Sequence, residues 1–136
     1  MTVIHPGRKS WRQGNRPPWM ATPSAGFFSL AAEGNVHDCH YHELNEFYLI
    51  SCGKAKILNG DREYFVQARD IVCIRAGDEH DILEVYGDED LQLFYLYEIG
   101  SPDARLGHLH KSAEKAVLHP VLRKPVPPDF PSTSAE

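Results

Sequence analysis

Gly34-Asn35-Val36-His37-Asp38-Cys39-His40-Tyr41-His42-Glu43-Leu44-Asn45-Glu46-Phe47-Tyr48-Leu49-Ile50-Ser51-Cys52-Gly53 is the stretch whose reading decides the fold. It sets three potential metal ligands, His40, His42 and Glu46, just ahead of the apolar run Phe47 to Ile50, with a glycine at each end. Alternate residues of a strand point the same way, so His40 and His42 can face one side together. Cys39 should face the opposite way and is not a candidate ligand. A strand end presenting two imidazoles and one carboxylate makes the first half of a transition-metal site.

Outward from this stretch the chain reads as strand after strand. Phe27 to Ala32 precedes it, and Lys54 to Leu58 follows. Asn59-Gly60 is a strong hairpin signal, with Arg62 to Ala68 as the returning strand. Ile71 to Ile74, His80 to Tyr86 and Leu91 to Ile99 complete the series, separated by Ala76-Gly77-Asp78 and Gly87-Asp88. Short strands at this spacing, without helices between them, predict an antiparallel sandwich or closed barrel. Past Gly100 the character changes. Ser112 to Leu118 is helix-forming sequence with a capping serine, stopped by Pro120. The last dozen residues, 125–136, with Pro125, Pro127, Pro128 and Pro131, are expected to be an extended, frayed tail. The expected organisation is therefore an arm at 1–25, a barrel at 26–100, and a short helix with a Pro-rich tail at 101–136.

With 136 residues and a mean hydropathy of -0.41, the chain has room for one good core. No apolar stretch is long enough to span a membrane and no secretory signal is visible. Three cysteines without CxxC spacing read as reduced thiols, which predicts a cytoplasmic protein. Arg8, Lys9, Arg12 and Arg16 make a basic arm, but residues 21–100 carry fifteen acids against five bases. That balance argues against nucleic acid as a partner. Trp11 and Trp19 in the arm call for a surface, either the domain edge or a second subunit in a homodimer.

Read literally, the opening stretch is G-x5-H-x-H-x3-E-x6-G, filled by Gly34, His40, His42, Glu46 and Gly53. This resembles the first motif of the cupin superfamily, whose fold is an all-β jelly-roll barrel, also called a double-stranded β-helix. The second cupin motif, G-x5-P-x-G-x2-H-x3-N, aligns with Arg69 to Glu84 and keeps Gly77 and His80. Arg69 and Arg75 replace its first glycine and its proline, and Glu84 stands at the asparagine position. The resemblance implies that His40, His42, Glu46 and His80 form a three-His, one-Glu site for one divalent transition metal, among Fe, Mn, Zn, Ni or Cu.

Residues His108-Leu-His110-Lys-Ser-Ala-Glu114 repeat the H-x-H-x3-E spacing. Their flanking glycines are missing and helix-forming sequence follows. His110 and Glu114 are expected to be mere neighbours one helical turn apart, with no metal role. Strand parity carries Glu46 to Tyr48 and His80 to Glu84, making Tyr48 and Glu84 candidate catalytic groups facing the interior. Along Leu91 to Ile99 both faces are apolar, and Tyr95 is a candidate for the substrate pocket.

The resemblance implies a small polar substrate or ligand inside the barrel. The first expectation is a metal-dependent enzyme with dioxygenase-type chemistry. An isomerase, epimerase or lyase acting on a sugar or keto acid, and a non-catalytic small-molecule binder, stay open, because fold alone does not fix function.

Overall fold

Alternation of apolar and polar side chains, period two, sets the architecture of the computed structural model, which describes residues 10–11, 16–30 and 35–131. Its strands are β1 (Ser10–Trp11), β2 (Ala25–Leu30), β3 (Val36–His37), β4 (Glu46–Cys52), β5 (Lys54–Asn59) and β6 (Arg62–Gln67). They continue with β7 (Ile71–Ile74), β8 (His80–Tyr86), β9 (Leu91–Tyr97), β10 (His119–Pro120) and β11 (Leu122–Lys124). A five-stranded sheet runs β1-β2-β9-β4-β7 and a four-stranded sheet runs β11-β8-β5-β6, with β10 and β3 paired separately. Pairings are antiparallel except that of β11 with β8. This is the expected all-β jelly roll.

The core lies between the two sheets. Tyr48 and Ile50 from β4, Val72 and Ile74 from β7 and Leu93 from β9 meet Ala55, Ile57, Val66, Ile82 and Val85 of the other sheet. A large aliphatic side chain buried this fully stabilises the fold by about 1.5–3 kcal/mol. Leu49 and Ile71, on the opposite parity, are exposed. On β9 the inner face is Leu93, Tyr95 and Tyr97, which the sequence could not decide.

Turn chemistry fixes the strand ends. At Gly53 the backbone has φ +89°, and a Cβ there would lie 2.5 Å from the Asp90 carbonyl oxygen, so only glycine fits. The β5–β6 hairpin turns at Gly60-Asp61, with Asn59 paired to Arg62, one residue later than expected. Arg69 has φ +80°, the one positive φ of a non-glycine residue among those described. It occupies the position where the family motif carries glycine.

The C-terminal expectations are corrected. No helix occurs among the described residues: Ser112–Leu118 forms turns, with weak bonds from Ala116 N–H to Ala113 O and Val117 N–H to Glu114 O (3.3 Å each). A seven-residue helix has little to offset its nucleation cost, and here both its ends are claimed by strand pairing. Leu109 bridges to Tyr41, and His119 pairs with His37. The tail is not frayed through residue 131. It follows β11, which lies along β8, and Phe130 sits on Phe65 at 5.0 Å and on Tyr86 at 6.0 Å between ring centroids. Arg8, Lys9, Arg12, Gly34 and residues 132–136 lie outside the described residues.

Candidate metal centre

An isolated bridge between residues 40 and 80 brings two histidines opposite each other, through His40 N–H to His80 O (3.1 Å) and His80 N–H to His40 O (2.8 Å). The His42 carbonyl accepts the Gly77 N–H at 2.8 Å, which holds the glycine turn before His80 against the first motif. Glu46 opens β4 between Ile74 of β7 and Tyr97 of β9. His40, His42, Glu46 and His80 are each no more than 4 % exposed. Ligand atoms of the three histidines lie within 4.8 Å of one another.

The hydrogen bonds fix which ring nitrogens face inward. His40 Nδ1 donates to the Asp38 carbonyl at 3.0 Å, His42 Nδ1 to the Gly107 carbonyl at 2.9 Å, and His80 Nδ1 more weakly to the Asp78 carbonyl at 3.3 Å. A carbonyl only accepts, so each Nδ1 carries the proton and each Nε2 presents a lone pair. Glu46 Oε1 lies 3.3 Å from His80 Nε2 and 3.8 Å from His42 Nε2. Glu46 Oε1 and His80 Nε2 are buried without a hydrogen-bond partner. Unpartnered buried polar atoms are costly, and a divalent cation among these donors would satisfy both. Burial, reinforced by repulsion from His80, His108 and His42, holds the His40 pKa down to about 2. Burial also lowers that of His42. Neutral imidazoles are the form that binds metal.

The cupin-domain family model matches residues 26–97. The chain belongs to the cupin family. Among curated proteins it is similar to the uncharacterized protein y4oW of Sinorhizobium fredii, 37% identical over 51 residues, covering 38% of this chain and 24% of that one. Among solved structures it is similar to the plu4264 protein of Photorhabdus luminescens (TM-score 0.53, 17% identity, 71% of this chain and 85% of that one). It is also similar to the DMSP lyase DddQ of Ruegeria pomeroyi (TM-score 0.51, 22% identity, 62% of this chain and 41% of that one). At these identities the structural likeness establishes the fold alone. This cupin thus spans about a quarter of the curated relative and two fifths of the lyase chain.

The cupin's barrel holds a cavity of about 1230 Å³ reached by the centre. Tyr48 lines it, buried, with its ring 6.1 Å from that of His80. Burial and the adjacent Glu46 carboxylate push the Tyr48 pKa well up, so it stays a phenol. Tyr95 lines the cavity too, edge-on to Tyr97 at 6.0 Å. Glu84 does not, and its expected inward direction is corrected. The β5–β8 register places Ile57 opposite Ile82 but Lys56 opposite Glu84, so Leu83 is an extra residue and parity flips beyond it. Val85 turns inward, while Glu84 accepts from Lys124 Nζ at 2.7 Å and from the Tyr86 hydroxyl at 2.6 Å. Cys39 points away, its thiol 3.6 Å from Glu79, and burial raises its pKa to about 11.

The second H-x-H-x3-E is absent from the metal-competent groups found among the described residues, yet its histidines are far from isolated. His108 stacks on His40 at 3.7 Å with the rings 7° apart, and its Nδ1 lies 3.0 Å from Asp38 Oδ1. His110 Nε2 meets Asp38 Oδ2, and Asp38 Oδ1 is 3.1 Å from His40 Nδ1. Burial opposes the Asp38 charge, but the His110 hydrogen bond with His108 and His40 alongside holds its pKa at about 2. The expected helical pairing of His110 with Glu114 is replaced by this network. Sequence reasoning missed Asp38. It also missed Asp81, which touches His37 and His119. The available signal was an acid beside a histidine in the motif stretch and another after His80, but their partners come from residues 108–119.

Proposed function

We propose that this cupin is a metal-dependent enzyme acting on a small polar acid inside the barrel, with dioxygenase-type chemistry at His40, His42, Glu46 and His80. One observation carries the reading: three Nδ1–H groups are tied to carbonyls while Glu46 Oε1 and His80 Nε2 remain unpartnered at 3.3 Å. When bound, a divalent Fe, Mn, Zn, Ni or Cu ion supplies Lewis acidity and, where redox-active, access to oxygen chemistry. The chain's own residues do the rest. Arg16 is the one Lys or Arg among the described residues lining the cavity, and its Nη1 donates to the Thr22 carbonyl at 3.3 Å. A guanidinium at the cavity wall is the group suited to pair a substrate carboxylate. Tyr95 and Tyr97 wall the pocket, and the Tyr48 phenol is a proton donor beside Glu46. The same donor favours a second reading, isomerase or lyase chemistry, in which a proton must be delivered to the substrate.

The deciding experiment is metal analysis of protein purified without chelator, followed by O2 consumption on a panel of small acids, thiols and phenols. Bound metal with no turnover of any panel member would shift the reading to a non-catalytic binder, and a chain that stays metal-free under loading would sink it. Arg16→Ala should raise KM for an acidic substrate roughly tenfold or more while changing kcat little. Its failure to do so on an active enzyme removes the acid from the substrate class.

We also propose a homodimer, in a cytoplasmic setting where Cys39, Cys52 and Cys73 stay free. Phe27, Phe94, Leu49 and Ile71 form one in-register row across the outer face of the five-stranded sheet. Phe27 and Ile71 are 63% and 62% exposed, and Trp19 is 68% exposed instead of covering the domain edge. The row is uncharged, so two copies with net charge -5 do not oppose like charges there. A monomeric mass in solution would overturn it.

A further inference from the structure

His80 and Asp81 are consecutive on β8 and therefore face opposite ways. His80 turns into the cavity, and Asp81 turns toward the place where β10 pairs with β3, in register His119 to His37. That pairing sets two imidazoles on one buried carboxylate. His37 Nδ1 lies 2.7 Å from Asp81 Oδ1, and His119 Nε2 lies 2.8 Å from Oδ2 and 2.9 Å from Oδ1. His119 Nδ1 lies 3.1 Å from the Pro120 carbonyl, which only accepts, so this nitrogen carries a proton. The Nε2 of the same ring faces the carboxylate, donating to it when the ring is protonated and presenting a lone pair when the ring is neutral. His37 Nδ1 donates to Asp81 when it carries a proton, and accepts the longer 3.4 Å approach of Ile82 N–H when it does not. These contacts are met either by ring protons, as ion pairs with Asp81, or by a metal cation that displaces those protons.

We propose that His37, Asp81 and His119 form a second divalent-metal site, separate from the four-residue centre and suited to zinc. Two neutral imidazoles and one carboxylate are zinc ligands, and a backbone carbonyl on the distal nitrogen of His119 is the support that metal-bound histidines use. The three ligand atoms lie within 4.8 Å of one another. Tetrahedral zinc spaces its ligands roughly 3.3 Å apart, so the carboxylate would recede by about half an ångström on binding. His37 and Asp81 are buried while the His119 side chain is 34% exposed, which gives the ion a path in and leaves a fourth position to solvent. The three ligands come from β3, β8 and β10. An ion there clips the C-terminal segment, residues 119–131, onto the barrel.

The test is zinc stoichiometry of the full chain after loading with zinc alone and desalting. Wild type should bind two ions and His119→Ala one. His42→Ala should also bind one, and the double variant none. His119 lies at the half-exposed rim, and a far-ultraviolet spectrum checks its fold; Asp81→Asn, which keeps the shape and removes the charge, should likewise lose one ion. If the four-residue centre fails to bind, His42→Ala matches wild type while His119→Ala still loses one ion. A His119→Ala chain that holds as many zinc ions as wild type overturns the proposal.

Discussion

The chain writes H-x-H-x3-E twice, at 40–46 and at 108–114, and the two copies fold into different things. The first copy is buried and runs directly into β4, so a rigid strand presents Glu46 beside two histidines steered by carbonyls. The second runs into turns, leaves Glu114 exposed, and sends both histidines to Asp38. Identical letters make a ligand set only where the backbone makes their side chains converge. The second copy still bears on the first. Asp38 joins His108 and His110 to His40, and the Gly107 carbonyl orients His42.

The largest effect separates the two copies outright. His42→Ala or His80→Ala should remove the ion held by the four-residue centre, whereas His110→Ala should keep it, as read by metal analysis with Co(II) absorption. Equal loss in all three would mean that the second copy is a ligand set after all. Next comes the link between them. Asp38→Asn should weaken affinity at the centre by roughly 10–100-fold in a chelator competition, the usual effect of disturbing a residue that orients a metal-bound histidine. Unchanged affinity would reduce the 108–110 segment to a covering loop.

A third effect is read without metal. The His40 pKa falls from an ordinary 6.5 to about 2 in the fold, so below 6.5 the unfolded chain binds the extra proton. Stability from this residue is therefore complete above pH 6.5 and drains away as pH falls toward 2, by at most about 1.4 kcal/mol per pH unit. His40→Gln should flatten that slope in denaturant titrations of the metal-free protein. His119 works the other way. Burial opposes its charge, yet hydrogen bonds to Asp81 and the Pro120 carbonyl raise its pKa, so its contribution is full below 6.5 and lost above its folded value.

His40, His42, Glu46 and the barrel were legible because strand parity and motif spacing are local properties of the chain. Glu84 was misread because parity holds only while register holds, and nothing in Ile82-Leu83-Glu84 announces an extra residue. The helix at 112–118 was misread because propensity over seven residues is outweighed by pairing on both sides, to Tyr41 and to His37. Asp38 and Asp81 stayed hidden because their meaning depends on contacts 38 to 72 residues away.

The stretch from Arg69 to Glu84 is the reverse of the second histidine copy: its letters depart from the cupin motif, yet it delivers its ligand. Arg69 adopts φ +80°, the conformation for which glycine stands in the motif, and it does so with its amide bonded to the Ile50 carbonyl at 2.8 Å. That bond and the Asp70 cap on Gln67 N–H, also 2.8 Å, hold the turn in place against the strain of a side chain there. A left-handed non-glycine residue costs about 1–2 kcal/mol, while glycine gives back part of this through a more flexible unfolded chain. Arg69→Gly should therefore stabilise the protein by about 0.5–1 kcal/mol in denaturant unfolding and leave metal affinity unchanged, since His80 is positioned by its bridge to His40. If restoring the glycine also tightens the metal, the turn at residue 69 is coupled to the ligand, and the letters of this motif matter beyond the geometry they produce.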